Sequence, residues 1–176
     1  MTNEENLKSA NTAPKSGGEL LQKTYVLSVL VDNHAGVLSR IAGLFTRRTY
    51  NIDSLSVGET ENADISRMTI VTRTDEDTYI QIKKQLSKLQ EVREISELSG
   101  DIAVLREHVL VKVVGADRAE MLQICEIYRA RVVDISPSSA IIELTGGPRK
   151  ISSFIEMMKQ YNIVKLVRTG LTGLER

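Results

Sequence analysis

Hydrophobic and polar positions change period in a regular order along the chain. The run YVLSVLV (25–31) is almost continuous in apolar and β-branched residues, which predicts a buried strand. From Gly36 the pattern turns helical. Val37, Ile41, Leu44 and Phe45 share one face, and Arg47 and Arg48 fall in the last turn, where cations suit the helix dipole. NIDSLSVG (51–58) predicts a second strand through Ile52, Leu55 and Val57, and TENAD (60–64) a polar turn. ISRMTIVT (65–72) sets Ile65, Arg67, Thr69 and Val71 against Ser66, Met68, Ile70 and Thr72, a strand with one mostly apolar face. The segment 74–90 opens with acids and carries Tyr79, Ile82, Leu86 and Leu89 at helical spacing. EVREISEL (91–98) closes the unit as a short strand.

The second half repeats this order without repeating the residues. EHVLVKVVG (107–115) is a strand, and a helix follows over 116–130, with Asp117 and Glu120 spaced like a capping box. RVVDIS (131–136) and SSAIIELTG (138–146) read as strands around Pro137. Pro148 stands near the start of a helix carrying Ile151, Phe154, Ile155 and Met158, and NIVKLVRTG (162–170) is the last strand expected. The fold class predicted is α+β, with two tandem βαββαβ ferredoxin-like domains joined near Ser99-Gly100-Asp101. In each, four antiparallel strands carry two helices on one face, and the other face stays open unless something covers it. The expected divisions are a flexible polar arm over 1–23, one domain over 24–99 and another over 100–176.

Composition narrows the function classes. The 176 residues carry 23 basic and 23 acidic side chains, so there is no basic surplus of the kind that neutralises phosphates, and nucleic acid is not an expected partner. Trp is absent and aromatics are few, so the core must come from Ile, Val and Leu. Cys125 is the only cysteine; it can form no intrachain disulfide, fits a reducing cytoplasmic setting and reads as a core residue. No apolar run is long enough to span a bilayer, so no membrane association is expected. The arm has neither an apolar signal core nor arginine, and so resembles no targeting segment.

Candidate chemistry is sparse. His34 and His108 are the only histidines, too few to converge on a metal. Ser28, Ser39 and Ser54 lack a nucleophile-elbow pattern, and TGGPRK (145–150) lacks phosphate-loop spacing. The turn Asn33-His34-Ala35-Gly36 remains. Gly36 permits close approach, Asn33 offers a donor and an acceptor, and the helix start offers N–H groups to a carboxylate. Taken alone, the same residues fit an ordinary turn with Asn33 as helix cap. Catalytic residues are not expected. A binding or regulatory module is, and a homodimer would seal sheet edges and create pockets between copies.

The segments LSVLVDNHAGVLSRIAGLFTRRTYNIDSLSVG, ISRMTIVT and KQLSKLQEVREISEL resemble the ACT-domain half of the small regulatory subunit of acetolactate synthase, also called acetohydroxyacid synthase. HVLVKV, EIYRARVVDISPSSAIIELTG and VRTGLTGLER resemble the C-terminal domain of that family, so the likeness runs from about Tyr25 to Arg176. It implies an N-terminal ACT domain and an ACT-like C-terminal domain. It also implies a subunit without activity or cofactor of its own, whose catalytic partner carries thiamine diphosphate, Mg²⁺ and FAD. Such subunits raise the partner's activity and confer feedback inhibition by branched-chain amino acids, chiefly valine. By the resemblance, the effector sits between paired ACT domains. One copy offers Asn33, His34, Ala35, Gly36, Val37 and Leu38; the facing copy offers Asn51 and Ile52. Carbonyls of Asn33 or Asn51 would accept from the ammonium, and Val37, Leu38 and Ile52 would enclose an aliphatic side chain. The alternative is a free-standing ACT-type amino-acid sensor. One departure stands out: many relatives carry glycine where this chain has Thr49, and a β-branched residue resists positive φ, so a differently shaped helix exit is expected.

Overall fold

The computed structural model describes residues 22–100, 102–115 and 117–176. The expected polar arm lies outside these residues except for Gln22 and Lys23, and Lys23 already begins the first strand. Strand β1 (Lys23–Asp32) lies between β3 (Ile65–Thr74) and β4 (Val92–Glu97), and β2 (Ser54–Glu59) pairs with β3 on its outer side. The sheet order is β2-β3-β1-β4, antiparallel throughout. Helices α1 (Val37–Arg47) and α2 (Glu76–Leu86) follow β1 and β3.

Register explains why the core lies where it does. Leu27 faces Ile70 and Val29 faces Met68 across β1 and β3, all on the helix side of the sheet. They pack with Val37, Ile41, Leu44 and Phe45 of α1 and with Tyr79, Ile82 and Leu86 of α2. Each such aliphatic side chain contributes about 1.5–3 kcal/mol on full burial. Tyr25 and Tyr79 stack with ring centres 3.8 Å apart at one end of this core.

The second half follows the same order. Strand β5 (Ala103–Val114), α3 (Arg118–Tyr128), β6 (Arg131–Ile135), β7 (Ser139–Gly146), α4 (Pro148–Met158) and β8 (Asn162–Arg168) form a sheet of order β6-β7-β5-β8. Its core joins Val109, Val111, Val113, Ile142 and Leu144 to Met121, Ile124 and Cys125 of α3 and to Ile151, Phe154 and Met158 of α4. Asp117 caps α3 by accepting from the N–H groups of Ala119 and Glu120, and Pro148 opens α4. Two ferredoxin-like βαββαβ units in tandem are therefore the architecture of the chain.

The end of the chain departs from the expected pattern. A ninth strand, β9 (Thr172–Glu175), follows β8 and pairs with the first four residues of β5, which starts earlier than its apolar run suggests. This β5–β9 ribbon lies against the face of the first sheet that bears no helices. There Val26, Val71, Leu98 and Ala103 are buried together, with Leu105 and Leu171 packed on them. The face expected to be open is thus partly covered by the chain's own C-terminal segment. Sequence periodicity misses β9 because it has only four residues and a glycine at its second position.

Candidate functional site

The turn after β1 is shaped by Gly36. Its φ of 93° lies in the left-handed region, where side chains other than glycine are strained. Gly36, not Asn33, occupies the cap position of α1, and no side chain caps the helix. Its carbonyl accepts the first helical bond from Arg40 at 2.9 Å. The amides of Leu38 and Ser39 are left with no intrahelical acceptor, and no acidic side chain lies in the first turn. The contrast with the neighbours is direct: α2 starts on capping Asp75 with Glu76 and Asp77, and α3 on Asp117 with Glu120. The start of α1 thus lacks both a side-chain cap and first-turn acids, as does the Gly147 start of α4 in the second unit, and its exposed N–H groups and uncompensated dipole suit a carboxylate.

Asn33 serves the neighbouring hairpin instead of the helix. Its Nδ2 donates to the carbonyl of Ala63 at 2.7 Å and to Glu59 Oε1 at 3.3 Å, and its Oδ1 accepts from the hydroxyl of Ser66 at 2.9 Å. Its backbone N–H donates to Asp64. The β2–β3 turn therefore holds Asn33 beside Gly36, and Oδ1 keeps one acceptor position beyond Ser66. His34 and Ala35 are exposed, with His34 Nδ1 3.1 Å from the Ala35 carbonyl. Two ion pairs flank the turn, Asp32 with Arg93 and Arg40 with Glu91. Val37 is buried in the core, so only its backbone faces the turn, whereas Leu38 is exposed and offers its side chain.

Asn51 and Ile52 lie at the far end of α1. The helix has 11 residues, so the two groups are separated by roughly 16 Å of helix rise. One chain does not bring them together. Thr49, at φ 56°, takes the left-handed conformation in spite of its β-branch, so the helix exit keeps the shape a glycine would give. Asn51 is exposed; its Nδ2 donates to Asp53 Oδ1 at 2.5 Å, and its backbone carbonyl accepts from Thr72 Oγ1 at 2.7 Å. The Asn51 side-chain carbonyl stays available. A groove of about 440 Å³ lies beside it, lined in part by Arg48, Tyr50, Arg73 and Thr78. Ile52 is half-buried against the first core.

Three residues beyond the expected set become prominent. Ser54 and Ser56 on β2 and Thr69 on β3 bond to the C-terminal segment across more than 100 residues of sequence. The alternation of small hydroxyl residues with Leu55 and Val57 was the available signal, but it reads equally well as a solvated sheet face. Cys125 is buried, and burial pushes its thiol pKa up. Among the described residues no group of three or more His, Cys, Asp or Glu is placed to hold a metal ion. Among the described residues no helix is long and apolar enough to cross a membrane.

Comparison with known proteins covers both units. The family model described as the AHAS small subunit-like ACT domain matches residues 27–94. The model described as the small subunit of acetolactate synthase matches residues 106–176. A probable acetolactate synthase small subunit of Archaeoglobus fulgidus is 47% identical over 154 residues, covering 86% of this chain and 96% of the relative. The probable small subunit of Methanothermobacter thermautotrophicus is 42% identical, covering 90% and 96%. The acetolactate synthase small subunit of Bacillus subtilis is 42% identical, covering 86% and 90%. The crystal structure of the acetolactate synthase small subunit of Thermotoga maritima superposes with a TM-score of 0.82 at 38% identity, covering 88% of this chain and 98% of that one.

Proposed function

The chain belongs to the family of acetolactate synthase small subunits, and on that premise we propose that it is the non-catalytic regulatory subunit of a cytoplasmic acetolactate synthase, activating the catalytic subunit and conferring feedback inhibition by valine. The catalytic partner carries thiamine diphosphate, Mg²⁺ and FAD, and this chain carries no cofactor. Residues 24–99 bind the effector and dimerise; residues 100–176 form the second domain.

The observation that carries this reading is the open start of α1. Uncapped amides, the left-handed Gly36 and the absence of first-turn acids make a seat for the valine carboxylate. The ammonium is received by the free acceptor positions of Asn33 and of a second copy's Asn51. Leu38 and Ile52 flank the isopropyl group, where an apolar pocket discriminates by only about 1–3 kcal/mol per methylene. Because Gly36 and Asn51 stand at opposite ends of α1, a complete site needs two copies, the start of one helix facing the exit of another.

Complementation between variants tests the shared site. Gly36→Asp and Asn51→Ala each remove one half of every site, so neither variant alone binds valine. Mixed and allowed to exchange subunits, they form heterodimers with one intact site, and about a quarter of the wild-type binding returns. No return of binding in a mixture shown to exchange would refute a site built from two copies. A chain that binds valine but never associates with a thiamine-dependent partner would be a free-standing sensor instead.

A further inference from the structure

The segment from Thr169 to Arg176 joins the two units. Leaving β8, the chain turns at Gly170, whose φ is 78° and where an added Cβ would lie 2.1 Å from Ser54 Oγ. The next residue is held on both sides by β2. Leu171 N–H donates to Ser54 Oγ at 3.1 Å, and the Leu171 carbonyl accepts from Ser56 Oγ at 2.9 Å. Gly173 N–H then donates to the buried Thr69 Oγ1 at 3.3 Å. A Cβ on Gly173 would come within 2.4 Å of Leu98 and 2.7 Å of Leu105, so the backbone itself fills the space between the units. From Thr172 onward the segment pairs with β5, and Arg176 N–H closes on the carbonyl of Ile102.

These contacts form a short mechanical series. Asn51 and Ile52 lead directly into β2, an edge strand held on one side only. Two side chains of β2 grip Leu171; the segment holding Leu171 is continuous with β8 and paired with β5, both strands of the second sheet. The grip is made of neutral hydroxyl bonds, each of modest net strength, so a small displacement of β2 weakens it without unfolding either unit. Grooves of about 470 and 660 Å³ flank the segment on its two sides.

We propose that this C-terminal strap transmits effector occupancy from the first unit to the second, by way of Ser54, Ser56 and Thr69. The proposal rests on the effector reading above for its input, and on the strap geometry for its path. An effector acts only through its differential affinity for two arrangements, so a loosened strap uncouples inhibition from binding.

The experiment compares the wild-type full chain with Ser54→Ala/Ser56→Ala, Gly173→Val and Thr69→Val, the last nearly isosteric in case Gly173→Val does not fold. Valine affinity is measured by calorimetry on the free subunit, exchange of the Leu171 and Gly173 amides with and without valine, and valine inhibition in complex with the catalytic subunit. The expected result is valine affinity within about two-fold of wild type, with the concentration for half-inhibition raised at least about five-fold. Exchange at the two strap amides in wild type changes on valine binding. Full inhibition in variants whose strap amides have lost protection overturns the proposal. If wild-type chain binds no valine, the effector reading fails and unfolding decides the strap. Replacement of one thermal transition by two in the variants supports coupling through it, and an unchanged single transition refutes it.

Discussion

Thr49 stores strain at the exit of α1. A β-branched residue at φ 56° costs about 1–2 kcal/mol relative to an unstrained conformation, offset in part by its hydroxyl bond to the Arg48 carbonyl at 2.6 Å. Thr49→Gly is therefore expected to raise stability by about 1 kcal/mol in urea unfolding, and a decrease would show that the hydroxyl outweighs the strain. Asn33 has the opposite character. Asn33→Ala strands the buried Ser66 hydroxyl, whereas the exposed Ala63 carbonyl turns to water, so it should cost about 1 kcal/mol in the same assay as well as weaken valine inhibition. A loss of inhibition with unchanged stability would assign Asn33 to the ligand alone. The sequence points to Asn33 through its place beside Gly36. It does not reveal that the amide serves the β2–β3 turn, because that partner lies 30 residues away. Cys125 was legible as a core residue. With its thiol buried and its pKa pushed up, it should react with a disulfide reagent at pH 8 only as fast as the chain unfolds.

At the scale of elements, the helices differ most at their starts. The backbone N–H and hydroxyl of Thr78 both donate to Asp75 and hold its carboxyl below the usual aspartate range. A depressed carboxyl stabilises the fold above its unfolded pKa, near 4, and loses that contribution as pH falls through its lower folded value. The difference in thermal midpoint between wild type and Asp75→Asn should accordingly shrink below about pH 4; a gap that holds constant down to pH 2 would contradict the assignment. On α3, Asp117→Ala should cost about 1 kcal/mol, read by thermal unfolding. Among the described residues, the four helices and the eight longer strands were legible because their apolar faces repeat along each element. The capless start of α1 was not. The apolar pattern starts the helix at Gly36, yet Asn33 also reads as its cap, and only the structure gives the cap position to the left-handed Gly36.

The whole molecule is two ferredoxin-like units with a strap across their junction, and the junction was the part least visible in sequence. Leu98, Leu105 and Leu171 come from three separated segments, and no local period connects them. The same region holds Glu107, almost fully buried and bonded to Arg168 at 2.6 and 2.7 Å. Arg168 is partly exposed, so solvent tempers the pair, and Glu107→Gln should cost roughly 1–3 kcal/mol. On the proposed reading, the open start of α1 and a second copy make a sensor attached to an enzyme. Acetolactate formation from pyruvate by the matching catalytic subunit tests that description most directly, assayed alone, with this chain, and with this chain plus valine. The account predicts a higher rate with the chain and loss of that rate on adding valine. A rate that the folded, correctly matched chain leaves unchanged, with and without valine, would contradict it.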